Sequence, residues 1–293
     1  MISVLVCTYN QEKFLAQTLD SILMQKCDEA FEILIGDDCS TDDTGKIADE
    51  YRLRYPDKVR VIRPKKNGGA SLNMVRLIEN ACGEYLSICD GDDYWLYDDV
   101  LQKQVNVFKT SHDIGMLCAK AKCYIQEEGI YKGTLGYVGA EDLMTMLKDN
   151  RDVAAPTIAF RTDLMRQCVQ ESAWYINQNF FYDSIMAYWF AYNSKIKFID
   201  EELAAYRVLQ NSACHATDNK KLIMFTKRYF MVKWHFVLTH PSLCNSDIFD
   251  LLVQDYDART SEVEYKTILE MRSKKAYKIG NTILKPLKKI FNR

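Results

Sequence analysis

Five aspartates follow two apolar runs: Asp37 and Asp38 after Phe31–Ile35, and Asp90, Asp92 and Asp93 after Tyr85–Cys89. Carboxylates gathered on one edge repel each other unless a cation compensates. Hard oxygen donors favour Mg2+ or Mn2+, and an anionic ligand completes the balance. Two acids one residue apart on an extended turn can point the same way, so Asp90 and Asp92, flanking Gly91, form a candidate metal clamp. A metal held there could bridge a diphosphate and stabilise it as a leaving group. Taken singly, each acidic group reads equally well as a turn or a solvated loop. Their recurrence at successive strand ends favours the chemical reading. Ser40, Asp42 and Asp43 suit helix capping, Ser40-x-x-Asp43 being close to a capping box, and Asp98 and Asp99 suit the start of a further helix.

The elements needed to place these acids are legible in the first 95 residues. Ile2–Cys7, Phe31–Ile35, Val59–Ile62 and Tyr85–Cys89 are apolar, largely β-branched runs expected to be strands. Gln11–Gln25, Thr44–Tyr55 and Ser71–Ala81 repeat apolar residues at helical period. Alternating strands and helices predict an α/β fold with a mainly parallel sheet covered on both faces. In such a sheet ligands bind beyond the carboxyl ends of the strands. The residues at those ends are Thr8-Tyr9-Asn10, Asp37-Asp38, Asn67-Gly68-Gly69 and Asp90-Gly91-Asp92-Asp93. Further on, Asp99–Lys109 and Phe181–Tyr192 read as helices, Gly129–Gly139 as loop, Val153–Phe160 as strand, and 221–240 and 247–271 as helices.

Composition bounds the alternatives. With 293 residues, 48% hydrophobic and 27% charged, the chain can build a sizeable core and is neither disordered nor a disulfide scaffold. The longest stretch without Asp, Glu, Lys or Arg is 234–246, too short for a membrane span, and no signal peptide is expected at the start. The ten cysteines mostly sit singly in apolar runs, without a C-x-x-C pair, and read as reduced thiols rather than disulfides or zinc ligands. No G-x-G-x-x-G follows the first strand, and there is no P-loop or G-x-S-x-G elbow. The overall charge of −2 hides an asymmetry. Residues 272–293 carry eight Lys/Arg and no acid, leaving 30 basic against 40 acidic residues elsewhere. An acidic body with a basic amphipathic end does not suit a nucleic-acid binder. It suits a peripheral contact with an anionic membrane surface, or a C-terminal helix packed on the body.

The segments Val4–Asn10, Ile35–Thr44, Asn67–Gly69 and Cys89–Trp95 resemble family 2 glycosyltransferases of the GT-A fold. The resemblance is strongest over roughly the first 110 residues and continues to about residue 212. It implies a Rossmann-like sheet with a C-terminal helical extension. Residues 1–100 would be the donor half, 101–220 the acceptor half and 221–293 the extension. It implies inverting transfer of one sugar from a nucleotide-diphosphate donor, UDP-linked, to a saccharide or lipid-linked saccharide in surface polysaccharide or glycolipid assembly. Thr8, Tyr9, Asp37 and Asp38 would hold the nucleoside, with Asn10, Asn67, Gly69 and Gly91 lining the donor pocket and Asp90 and Asp92 binding Mn2+ or Mg2+. The family's catalytic base lies in a Glu-Asp pair before a helix. Here that place is Tyr182-Asp183, so Asp183 is the implied base, the alternative being a helix cap.

Tyr206-Arg207 and Ser212 resemble a further family segment, in which a His beside the phosphates is here Leu209; His215 is a candidate replacement. Arg207 could meet the diphosphate or pair with an acid in the core. Trp95 could wall the donor pocket. The aromatic group Trp174, Tyr175, Phe180, Phe181, Tyr182, Tyr188 and Trp189 could face the acceptor, the helical stripe among them reading better as core. The absence of a Q-x-x-R-W motif fits a non-processive enzyme acting in the cytoplasm, at or near the inner membrane face. A non-catalytic carbohydrate-binding scaffold and a sugar-phosphate nucleotidyltransferase remain the alternatives at this stage.

Overall fold

A computed structural model describes residues 1–136, 141–149, 153–178, 182–210 and 230–259. The chain runs β1 (Ile2–Thr8), α1 (Leu15–Leu23), β2 (Phe31–Asp37), α2 (Thr44–Arg54), β3 (Val59–Ile62), α3 (Ala70–Asn80), β4 (Tyr85–Ile88), β5 (Tyr94–Trp95) and α4 (Val100–Thr110). It continues through β6 (Ile114–Ile125), β7 (Ile130–Leu135), α5 (Leu143–Asp149), β8 (Ala159–Arg161), α6 (Thr162–Glu171), α7 (Ala173–Asn177), α8 (Tyr182–Asn193) and β9 (Lys195–Val208). A helix over 230–239 (α9) and α10 (Ser246–Arg259) complete the described residues.

The nine strands among the described residues join one sheet in the order β3-β2-β1-β4-β8-β6-β9-β5, with β7 paired to β6. β1 is parallel to β2 and β4, and β2 to β3. β8 is antiparallel to both β4 and β6, and β9 is parallel to β6. The carboxyl ends of β1, β2, β3, β4, β6 and β9 therefore meet at one rim.

Period-two alternation divides the core between the two faces. Val4, Val6, Ile33 and Ile35 pack with α1, α2 and α4, whereas Leu5 and Leu34 pack with α3, α6, α8, α9 and α10. This is why β1 and β2 read as continuous apolar runs: both faces are covered. Leu15, Leu19 and Ile22 of α1 are fully buried, each such side chain contributing roughly 1.5–3 kcal/mol of apolar burial.

Several expectations are corrected. The first helix begins at Leu15 rather than Gln11, because Gln11–Phe14 forms a turn in which Gln11 O accepts the Phe14 and Leu15 N–H groups. The Gly-rich stretch contains strand β7, with Gly133 inside it at φ 89°; residues 137–140 lie outside the described residues. The strand expected over Val153–Phe160 shrinks to Ala159–Arg161. Pro156 cannot donate to a ladder, and Ala155–Thr157 forms a 3-10 turn instead. Trp95 is core, 1% exposed, with its indole N–H donating to Pro156 O at 2.8 Å, so it walls no pocket. Residues 221–229 and 260–271 of the two expected C-terminal helices lie outside the described residues, as does the basic segment 272–293. The described cysteines are all free thiols.

Glu32 ties the sheet together below the rim. It accepts Ser3 Oγ at 2.7 Å, the Cys82 N–H at 2.8 Å and Arg60 Nη1 at 2.9 Å. Burial alone would raise its carboxyl pKa, but these donors outweigh burial and hold it below the usual value. Its charged form therefore stabilises the fold above the unfolded pKa of about 4.3 and loses that contribution as pH falls through the folded value. Glu32→Gln is expected to cost about 2 kcal/mol at pH 7, with the difference from wild type shrinking below about pH 4. Denaturant unfolding at the two pH values checks this.

Candidate active site at the carboxyl rim

The loops after β1 and β2 are stapled to each other. The Asn10 N–H donates to Ser40 Oγ at 3.0 Å, and Asn10 Oδ1 accepts the Thr41 N–H at 2.8 Å. Asn10 and Cys39 sit at φ 54° and 63°, in the left-handed region that non-glycine residues rarely occupy outside functional loops. The expected Ser40–Asp43 capping box is absent. Ser40 serves Asn10, the helix starts at Thr44, and Asp42 Oδ1 accepts the Thr44 N–H at 3.0 Å. Asp99 likewise makes no side-chain cap, and Asp98 pairs with Lys26.

Asp37 and Asp38 are 1% and 2% exposed, and both hold the rim loops in shape. Asp37 accepts the Ser40 N–H at 2.9 Å and Arg63 Nε at 2.7 Å. Asp38 accepts the Gly68 and Gly69 N–H groups at 3.0 and 2.6 Å and pairs with Arg76 Nη1 at 3.1 Å. Gly69 enters α3 at φ 85°, a conformation that favours glycine. Asn67 is exposed beside it, and Tyr9 stands 47% exposed on the rim. Arg63 directly follows β3 and Arg76 lies within α3; only the fold shows that they reach Asp37 and Asp38.

The Asp90–Asp93 loop is held from three sides. The Gly91 N–H donates to Cys7 O at 2.8 Å. The Thr18 hydroxyl lies 2.6 Å from Asp93 O and 3.0 Å from Gly91 O. Arg207 Nε donates to Asp92 O at 2.6 Å, and the Arg207 backbone N–H donates to Asp93 Oδ1 at 2.7 Å. Gly91 is required by contact: a Cβ there would lie 2.5 Å from Gln11 Oε1 and 2.8 Å from Thr8 Oγ1.

Electrostatically the loop is loaded. Burial, then the charges of Asp92 and Asp183, push the Asp90 carboxyl up to about 7. Burial also raises Asp92, against the opposing influence of Arg207 and Gln11, and burial together with the Asp92 charge raises Asp93. Asp183, in the first turn of α8, is thus brought within electrostatic range of Asp90 from 93 residues along the chain. Its Oδ1 also accepts the Ser184 N–H at 2.8 Å.

Among the described residues no three carboxylate, imidazole or thiolate groups converge closely enough to hold an ion alone. The donor set nevertheless fits a hard cation that takes further oxygens from a diphosphate and water. Beside Gly91, Thr8 Oγ1 and Gln11 Oε1 are buried without a hydrogen-bond partner, and the charges of Asp92 and Asp183 oppose ionisation of Asp90.

Arg207 is 4% exposed. Its guanidinium bonds Gln126 Oε1 and, at 2.7 Å, Gln17 Oε1, and lies 4.6, 5.3 and 5.4 Å from the ring centres of Phe14, Tyr94 and Tyr124. Tyr188 and Trp189 are core, whereas Trp174 is 40% exposed and stacks on His235 at 3.7 Å. Phe180, Phe181, Ser212 and His215 lie outside the described residues.

Residues 3–177 match the model of glycosyl transferase family 2. The uncharacterized protein Rv1520 of Mycobacterium tuberculosis is 29% identical over 237 residues, 75% of this chain and 62% of that protein; the match therefore spans about three fifths of that relative's length. The Bacillus subtilis glycosyltransferase TuaG, named for teichuronic acid biosynthesis, is 33% identical over 105 residues, 36% of this chain and 40% of TuaG. Among solved structures, S. aureus TarS 1-349 in complex with UDP-GlcNAc superposes with a TM-score of 0.58 at 22% identity, covering 79% of this chain and 65% of that one. The Pyrobaculum calidifontis mannosyltransferase PcManGT, in complex with GDP-Man and Mn2+, gives 0.52 at 14% identity, covering 93% and 84%. The fold is thus that of the GT-A transferases, and the chain belongs to glycosyl transferase family 2.

Proposed function

We propose that the protein is a metal-dependent, inverting glycosyltransferase. It moves one sugar from a nucleotide-diphosphate donor, UDP-linked, to a hydroxyl of a saccharide or lipid-linked saccharide in polysaccharide or glycolipid assembly. The observation that carries this reading is the loop Asp90–Asp93 with Asp183 close enough to perturb it. The likeness to TarS bound to UDP-GlcNAc, to PcManGT bound to GDP-Man and Mn2+, and to TuaG supports the donor class, the metal and the pathway class.

In this reading Thr8, Tyr9, Asn10, Asp37 and Asp38 hold the nucleoside, and Asn67, Gly69 and Gly91 line the sugar diphosphate. Asp90 and Asp92 would hold Mg2+ or Mn2+, which when bound neutralises the departing diphosphate. Asp183 takes the proton of the acceptor hydroxyl as that oxygen bonds the anomeric carbon and the bond to the diphosphate breaks, so configuration inverts. Arg207 fixes the metal loop from behind. Residues 1–100 act as the donor half, 101–220 as the acceptor half and 221–293 as an extension. The basic segment 272–293 provides a contact with the anionic inner membrane face; among the described residues no helix is long and apolar enough to cross a membrane.

Thermal-shift binding of a nucleoside diphosphate panel, with and without Mn2+, tests the donor site. Wild type is expected to be stabilised by one nucleotide in a metal-dependent way. Asp92→Ala should lose that stabilisation, about 2–3 kcal/mol at a hundredfold excess over Kd. A wild type indifferent to every nucleotide at millimolar concentration sinks the reading.

A further inference from the structure

The chemistry at the rim leaves one strongly charged surface unused. Residues 52–66 carry seven Lys/Arg and one acid, Asp57, whereas the rest of the chain up to residue 271 carries 23 basic against 39 acidic residues. The fold lays this run along one border of the sheet. It comprises the last turn of α2, the connection to β3, β3 itself and the residues leading to Asn67. β3 is the terminal strand of the sheet, paired to β2.

Part of this charge is compensated within the molecule. Arg52 pairs with Asp49 at 3.4 Å, Arg60 with Glu32 at 2.9 Å, and Arg63 with Asp37 and Asp49 at 2.7 and 3.4 Å. Arg54 and Lys58 instead lie 5.3 and 4.4 Å from the ring centres of Tyr51 and Phe31, and Lys65 and Lys66 are exposed. These four cations form no ion pair among the described residues. An apolar groove of about 380 Å3 lies among them, lined by Leu53, Pro56, Val59 and Val61 together with Arg52 and Arg60. Leu53 is 71% exposed, the most open large hydrophobic side chain among the described residues.

Two local explanations cover part of the pattern. Arg52 and Arg54 suit the carboxyl end of α2, and a charged Arg60 blunts an edge strand against unwanted pairing. Neither calls for a groove with an exposed leucine, nor for Lys58, Lys65 and Lys66. A second copy of the chain does not fit, because an edge-to-edge pair would set like charges against each other. Cations around an exposed apolar side chain match an anionic lipid surface, where headgroups meet the charges and the leucine enters the interface.

We propose that the β3 border of the folded body is a docking surface for an anionic lipid bilayer. Leu53 enters the headgroup region, and Arg54, Lys58, Lys65 and Lys66 meet the lipid anions. This surface is separate from segment 272–293 and does not rest on the transferase reading. It adds an orientation. Lys65 and Lys66 run directly into Asn67–Gly69 of the rim, so the rim opens beside the bilayer rather than away from it.

The test is sedimentation of the full chain with vesicles of phosphatidylcholine, with or without phosphatidylserine. Wild type is expected to bind the phosphatidylserine vesicles and not the neutral ones. Arg54→Gln combined with Lys58→Gln should weaken that binding about thirtyfold, at about fivefold for each cation near an anionic surface. Lys132→Gln combined with Lys197→Gln removes the same charge from β7 and β9, and should leave binding within about twofold, since charges beyond a Debye length are screened. Leu53→Trp, read as fluorescence above the wild-type background, should shift to the blue and be quenched by brominated lipid. All five substituted side chains are exposed, and an unchanged thermal midpoint shows that each variant is folded. Segment 272–293 is present in every sample and contributes equally. A wild type that ignores phosphatidylserine vesicles overturns the proposal, as do equal losses in the two double variants or an added indole that brominated lipid does not quench. Vesicle binding unchanged by the Arg54 and Lys58 substitutions, with binding to a single-stranded oligonucleotide lost, overturns it in favour of nucleic acid. No readout involves nucleotide or metal, so failure here leaves the transferase reading standing.

Discussion

Asp183→Asn is expected to lower turnover by about 10^2–10^4, the usual contribution of a positioned general base, while nucleotide affinity stays within a few-fold of wild type. The physical ground is what asparagine keeps and what it loses. Its side-chain oxygen can still accept the Ser184 N–H that Asp183 Oδ1 accepts at 2.8 Å, so that contact is kept and stability should hold. An amide cannot accept the proton of an attacking hydroxyl. Removing the charge also relieves repulsion on Asp90, whose carboxyl is raised by burial and by the charges of Asp92 and Asp183. Mn2+ affinity is therefore expected to be unchanged or tighter. Steady-state kinetics together with Mn2+ titration separate the roles. Turnover within threefold of wild type would leave Asp183 as a cap only, and a sharp loss of Mn2+ affinity would make it a metal ligand.

The second large effect is expected at Arg207, where even lysine should fail. The guanidinium makes three side-chain hydrogen bonds to separate elements, Asp92 O, Gln17 and Gln126, inside a box of three rings. A lysine ammonium is a single point charge that cannot match a planar fork or stack between rings. Arg207→Lys is expected to cost about 3 kcal/mol or more in stability, since breaking a buried charged network typically costs 3–5. It should also raise the Mn2+ concentration for half-maximal nucleotide stabilisation by about tenfold, which corresponds to about 1.4 kcal/mol of lost loop ordering. Metal-free nucleotide affinity should stay as it is. That pattern identifies a residue acting through the Asp90–Asp93 loop. A drop in metal-free affinity that lysine partly restores would make Arg207 a direct diphosphate ligand.

Much of the amino-terminal half of the sheet was legible because it is local. Strands β1, β2 and β4 are short, buried on both faces and so largely apolar, and the polar residues just after them have nowhere to lie but the rim. The part of the sheet built by β6 and β9 was less legible, for a matching reason. β6 and β9 mix Lys, Asp and Glu with apolar residues because each is partly solvent-facing, and register shifts break their alternation near Ala119–Ala121. Ile196 and Phe198 of β9 did carry a period-two signal that a finer reading would have found.

The sequence by itself determined which acids stand at strand ends, that their spacing could clamp a divalent cation, and that the sheet is largely parallel. These depend on nearest neighbours and side-chain period. Only the tertiary structure decided which groups those acids bond. Asp37 and Asp38 accept hydrogen bonds from Arg63, Arg76 and the Ser40, Gly68 and Gly69 N–H groups. Asp183 comes to bear on Asp90, and Arg207 bonds the backbone of the Asp90–Asp93 loop. Hydrogen-bond partners and charges many residues away settle those matters, and the curl of one sheet, which no local pattern encodes, brings them together.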